Sequence, residues 1–340
     1  SSLAGRRLGG NCGVVLSGAP SRKRNFILNT MALPDGLYDL LLTESLRGQL
    51  TGVNHPDHHT LQALSDADAP QRLAEAIGAQ LARILDDMHG EGEERLRQQL
   101  ALANALLLHA RERQSAHAKG VDPISAPPQL LHAIHRHAPA SPLPETGLAQ
   151  PWLFTAGKGS PSLLTELRRE LAACDQVDIL VSFITYSGVR KLLDILQAAT
   201  AIGADGLART RVRVLTTTYT GATEMKALDA LAELPGCEVR ISLDGRRTRL
   251  HAKAWLFRRR TGFGSAYVGS ANLSGAALMG GLEWTLKFTE HGQSDLFNRA
   301  LAHFETLWKD PEFQAYDARD PRHREALGVA LQRESGDGLI

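Results

Sequence analysis

Three short stretches hold residue types that could do chemistry together. Leu250 to Phe257 reads LHAKAWLF, with His251 and Lys253 two positions apart in an apolar run. Ala266 to Ser274 reads AYVGSANLS, with Ser270 and Asn272 at the same spacing. Leu282 to Phe288 reads LEWTLKF, where Glu283, Thr285 and Lys287 alternate with apolar positions. Side chains alternate faces along a strand. Taken as strands, each stretch presents its polar set on one face, and as neighbours the three converge on one patch of sheet. Such a patch suits a phosphoryl group. Lys253 and the Asn272 amide would bind non-bridging oxygens, and Ser270 would add a hydroxyl donor. Gly269 allows close backbone approach. His251 could attack phosphorus or shuttle a proton, and Glu283 could accept from its other ring nitrogen and fix the tautomer.

The elements needed to position these residues are legible from Trp152 onward. A buried strand (QVDILVSFIT), a helix (GVRKLLDILQAAT), a strand (TRVRVLTTTY), a helix (ATEMKALDALAEL) and a strand (CEVRISL) follow one another. That order implies parallel strands, and the three site stretches then add antiparallel ones. Before them, GSPSLLTELRRELAAC reads as a helix with Ser160 as its cap and Pro161 at its first position. SDLFNRALAHFETLWKD reads as a closing helix. The fold class expected is α/β: a mixed β-sheet flanked by helices, with an extra helical region before it. The domain reading is a lead segment over 1–30, of vector origin or disordered, then a helical region over 31–120. A proline-rich connector over 121–151, the α/β domain over 152–320 and a tail or linker over 321–340 complete it.

His251 and Lys253, then Gly269, Ser270 and Asn272, match H-x-K followed by G-S-x-N. This resembles the HKD motif of the phospholipase D superfamily, over roughly 152–310. With LPDGLYDLLLTESL and LTTTYTGATEMKALDAL, the chain is most similar to the phospholipase-D-like nuclease region that precedes the motor in some bacterial superfamily II (DEAD/DEAH-type) helicases. The resemblance implies a phospholipase-D-like α/β/α sandwich and metal-independent phosphodiester hydrolysis on nucleic acid, DNA favoured, with no cofactor. One histidine forms a phosphohistidine and a second protonates the leaving group. Because the chain has one motif, the resemblance implies a homodimer that shares its active site, and a helicase motor fused to it in the full-length protein. The family places an aspartate five residues after the lysine, where this chain has Arg258, and the lysine-to-glycine spacing here is longer. A binding module that grips phosphate backbone without cleaving is the competing class, and a phospholipase is a third.

Further contacts are expected around this centre. In a doubly wound sheet, ligands bind at the carboxyl ends of the strands. That edge brings in Thr216, Thr218 and Tyr219 of LTTTYTG and Ser182 of SFITYSG as substrate-binding candidates. Arg246, Arg247 and Arg249 precede the motif stretch, and Arg258, Arg259 and Arg260 follow it; these could grip a nucleic-acid backbone. A formal net charge of +1 supplies no overall field, so any such grip must be local.

Other classes find less support. The histidine-rich HPDHH (His55, Asp57, His58, His59) and HAIHRH (His132, His135, His137) lack the cysteine pairs or H-E-x-x-H helix of a zinc site, so no metal is expected. AGKGS, 156–160, lacks the spacing of a nucleotide-binding phosphate loop. No stretch reaches the roughly 20 apolar residues of a membrane span, so no membrane partner is expected. The three cysteines form no C-x-x-C pair, which suits a reducing compartment and a cytoplasmic location.

Overall fold

The computed structural model describes residues 41–51, 61, 63–113, 122–130, 132, 142–155, 161–244, 249–279 and 282–336. The chain divides into two compact units between Gln129 and Leu130, within the proline-rich stretch. The first unit contains α1 (Glu44–Thr51), α2 (Ala69–Asp87) and α3 (Gly92–Arg113). Pro70 stands in the first turn of α2, where a missing N–H costs nothing. Residues 55–59, 135, 137 and 156–160 lie outside the described residues, as do Ser160, Arg246 and Arg247.

The second unit runs β1 (Trp152–Thr155), α4 (Leu163–Ala173), β2 (Gln176–Leu180), α5 (Tyr186–Thr200), β3 (Arg211–Thr217), α6 (Met225–Ala232) and β4 (Cys237–Ser242). It continues β5 (Ala254–Arg258), β6 (Ser265–Gly269), α7 (Gly275–Met279), β7 (Trp284–Thr289), α8 (Ser294–Lys309), β8 (Phe313–Tyr316) and α9 (Pro321–Gly336). The strands form one sheet in the order β1-β7-β6-β5-β2-β3-β4-β8. β2, β3 and β4 are parallel, and β5, β6 and β7 add antiparallel strands on the other side of β2. The fold is α/β with a mixed sheet flanked by helices.

Alternation along the strands builds two cores. One face carries Val177, Ile179, Val214, Val239, Trp255, Phe257 and Tyr267, and packs under Leu167, Leu171, Leu192 and Leu228 of α4, α5 and α6. The other carries Leu180, Leu215, Leu256, Ala266 and Phe288, and packs under Phe297, Phe304 and Trp308 of α8. Each face also holds a buried ionic cluster. On the first, Glu170 accepts from Arg259 (2.5 Å) and Tyr267 (2.8 Å), with Lys287 Nζ at 3.3 Å. On the second, Arg213 donates to Asp178 (2.7 Å) and Glu305 (2.6 Å) and lies over the rings of Phe304 and Trp308.

Three expectations change. α4 begins at Leu163 with Ser162 in the cap position, so Pro161 precedes the helix. Residues 321–336, expected as a tail, form α9; Leu327 is fully buried in the first core and Arg324 donates to Asp229 of α6 (2.5 Å). β1 and β8, which close the two edges of the sheet, add strands the sequence pattern did not show.

Candidate active site

The carboxyl ends of β2, β3, β4 and β6 and the amino ends of β5 and β7 meet at one edge of the sheet, because the second set of strands runs antiparallel to β2. His251 and Lys253 lie just before β5, and Ser270 and Asn272 just after β6. The expectation that all four sit within strands is therefore corrected: the ladder ends first. Its last step is the Gly269 N–H, which donates to the Lys253 carbonyl at 3.1 Å. That bond holds the two motifs side by side at the rim.

Lys253 is buried, whereas His251 is exposed. Lys253 Nζ lies 3.0 Å from His251 Nδ1 and donates to the His251 carbonyl at 2.7 Å. Burial lowers the Lys253 pKa from the usual lysine value, and the negative charge of Glu283 opposes that shift. With the ammonium facing Nδ1, that nitrogen is the acceptor and Nε2 carries the ring proton. Nε2 takes no part in these bonds.

Asn272 is placed by two backbone donors. Its Oδ1 accepts from the N–H of Ser182 (3.1 Å) and of Phe183 (3.3 Å), which identifies that atom as the oxygen. The amide donors of its Nδ2 are not used in these bonds. The same loop is tied again by Thr185 N–H to the Leu273 carbonyl (3.0 Å). α5 can start this close only because Gly188 is bare; a Cβ there would strike the Leu273 backbone.

Ser270 and Glu283 occupy each other. The Ser270 hydroxyl donates to Glu283 Oε2 and accepts from the Trp284 N–H at 3.1 Å. This corrects two expectations. The Ser270 hydroxyl donates to a carboxylate, and Glu283 accepts that hydrogen bond where a contact to the His251 ring was expected. The reason is position: Ser270 lies beside the start of β7, where Ser270 N–H also donates to the Trp284 carbonyl at 3.0 Å. Gly269 is bare for a related reason. A Cβ there would collide with the Trp284 carbonyl oxygen and the Thr285 Cα, so the close approach is to β7.

The remaining candidates fall into two groups. Ser182, Thr216 and Thr218 stand at the same edge with fully buried side chains. Thr218 donates to the Ser242 carbonyl at 3.4 Å. The Arg249 guanidinium lies 5.8 Å from the centre of the Tyr219 ring, tying the β3 loop to the segment entering His251. Arg258 is at the opposite end of β5, about 16 Å along the strand from Lys253. Its side chain emerges on the α8 face, 3.4 Å from Asp178 and 3.9 Å from Glu305. Arg259 and Arg260 share that end, paired with Glu170 and Asp175. The expected arginine grip around the site therefore reduces, among the described residues, to Arg249. Lys287 does share the sheet face of Lys253, but it is buried further in, opposite Tyr267, and donates to Thr146 (2.8 Å) and Gly147 (2.6 Å).

Sequence reasoning missed Glu224, whose Oε2 accepts from the Tyr186 N–H (2.7 Å) at the start of α5. No local pattern marks it, since the two residues lie 38 positions apart. Among the described residues, no group of three His, Cys, Asp or Glu side chains could hold a metal ion, and no helix is long and apolar enough to cross a membrane.

No protein-family model and no curated protein sequence matches the chain. Solved structures show distant likeness. Nuc from Salmonella typhimurium, described as a phospholipase D family member, shares 17% identity and covers 49% of this chain and 99% of that chain, with a TM-score of 0.37. NucT from Helicobacter pylori shares 15%, covering 47% of this chain and 96% of that chain, with a TM-score of 0.34. Phosphatidylserine synthase from Haemophilus influenzae shares 14%, covering 56% and 46%, with a TM-score of 0.35. Likenesses at these TM-scores carry no weight for the fold or the chemistry of this chain, which rest on the geometry above.

Proposed function

We propose that this chain is a metal-independent phosphodiesterase of the phospholipase D type that acts on nucleic acid, with DNA as the favoured substrate. The observation that supports this most is the rim cluster: Lys253 Nζ at 3.0 Å from His251 Nδ1, beside an Asn272 whose oxygen is tied down. In this reading Lys253 Nζ and the Asn272 Nδ2 hold the phosphoryl oxygens and His251 is the nucleophile. In this reading a phosphodiester draws Lys253 Nζ onto a non-bridging oxygen. Nδ1 is then free to take the ring proton, which leaves the Nε2 lone pair free to attack phosphorus. The bond to the leaving oxygen breaks, and that oxygen takes a proton from His251 of the partner subunit. Water then attacks the phosphohistidine, returning the proton to the second ring and releasing the phosphate product. The resemblance of the motif stretches to helicase-associated nucleases supports a place beside a DNA-translocating motor.

Purified protein in EDTA is expected to cleave bis-p-nitrophenyl phosphate and to nick DNA, with an acid-labile phosphoprotein trapped on quenching. His251→Ala should abolish all three. Cleavage that requires added magnesium, or that survives His251→Ala, would remove this reading. The pairing of Glu283 with Ser270 favours a second one, in which the rim holds phosphate without cleaving it. Salt-sensitive DNA binding with no turnover in the same assays would support that alternative.

A further inference from the structure

Lys226 lies outside both motifs, in the first turn of α6. It is exposed, and its Nζ lies 4.0 Å from the centre of the Tyr186 ring. Tyr186 opens α5 and is half-buried against the first core, which fixes the ring. Backbone bonds join this stretch to the site. Glu224 N–H donates to the Ile184 carbonyl (2.9 Å), and Thr185 N–H donates to the carbonyl of Leu273, next to Asn272. Arg249 repeats the arrangement two residues before His251, with its guanidinium 5.8 Å from the centre of the Tyr219 ring. Among the described residues, each of these cations is held by an aromatic face and not by a carboxylate. The far end of the sheet shows the reverse, with Arg258, Arg259 and Arg260 facing Asp178, Glu170 and Asp175. The carboxylates of the rim loops are engaged elsewhere: Glu224 accepts from the Tyr186 N–H at 2.7 Å, and Glu283 accepts from Ser270.

A carboxylate partner neutralises a cation and must be displaced before a phosphate can bind. An aromatic ring orients the cation and leaves its charge uncompensated. We propose that Lys226 and Arg249 bind the phosphates on one side of the scissile one, so that the strand leaves the rim across the loops that follow β2 and β3. This path rests on the nucleic-acid reading above and adds to it a subsite outside H-x-K and G-S-x-N. Both contacts are to backbone phosphate, so they position the strand without reading its sequence, and each releases counterions from it.

The salt dependence of DNA binding tests this, measured by fluorescence anisotropy with a labelled single-stranded oligodeoxynucleotide in EDTA. His251→Ala protein serves as the background, so that cleavage does not intrude. Adding Lys226→Gln is expected to weaken binding and to lower the slope of log Kd against log salt by about 0.7, the contribution of one phosphate on a single strand. Lys226→Arg should keep the slope, and Lys226→Gln combined with Arg249→Gln should lower it by about 1.4. A slope that Lys226→Gln leaves unchanged overturns the proposal even where affinity falls, because a merely structural loss does not change the number of counterions released. That result defeats the subsite alone and leaves the nucleic-acid reading standing. Background protein that shows no salt-dependent binding defeats both. The measurement reads binding only, so a lowered slope without turnover in the EDTA assay supports the subsite and defeats the cleavage chemistry.

Discussion

Lys253 Nζ stands 3.0 Å from His251 Nδ1 and is bonded also to the His251 carbonyl. An ammonium can only donate, so in this contact Nδ1 is the accepting ring nitrogen. Lys253→Met is expected to lower kcat by about 10²–10³-fold, the cost of removing one preorganised donor from a developing anion. Lys253→Arg should recover little, because a planar fork does not replace a point charge at a buried position. Steady-state kinetics on bis-p-nitrophenyl phosphate measure both.

Stability should rise with pH in the alkaline range. Burial lowers the pKa of Lys253 against the opposing charge of Glu283, and it lowers that of Lys287 against Glu170 and Glu166. In both cases the folded chain sheds its proton before the unfolded chain does. Between the lowered folded value and the ordinary lysine value of about 10.4, the unfolded state holds more protons, so unfolding becomes harder as pH increases. Urea unfolding at stepped pH should show this slope, and Lys253→Met should reduce it.

Arg258→Asp introduces the residue type that the phospholipase D motif, which His251 and Lys253 resemble, has five positions after its lysine. Here it would put a carboxylate beside Asp178 and near Glu305, and far from the rim. The expected outcome is a loss of about 1–3 kcal/mol from an uncompensated charged contact, with turnover per folded molecule unchanged. Denaturation midpoints and active-site-normalised rates check the two halves separately.

Lys287→Met tests the buried cluster beneath the other face. Lys287 is fully buried and serves Glu170, Thr146 and Gly147. Its removal should cost about 3 kcal/mol, the low end for breaking a buried pair, because Glu170 keeps Arg259 and Tyr267. Chemical denaturation reports the loss directly.

The strands that were legible in sequence are those whose burial is recorded in their own composition. The apolar run of β2 and the alternation in β7 state their surroundings without help from elsewhere. β1 and β8 are four residues each and take their pairing from strands distant in sequence, so no local pattern announces them. At the site, residue types and their order pointed to one edge of one sheet. The hydrogen-bond partners were not legible, because the alternation rule holds within a ladder and the functional residues lie where the ladder stops. The spacing of two put His251 and Lys253 on one side, as found, but it did not show that Glu283 would bind Ser270 and leave the His251 ring to Lys253.

The Asn272 clamp also bears on how the chain assembles. It joins backbone segments ninety positions apart, and closing so long a loop is rewarded only after the intervening β3, β4 and β5 have found their neighbours. This edge of the sheet is then expected to form late in folding, and the amide hydrogens of Ser182 and Phe183 should exchange with solvent only when those strands come apart.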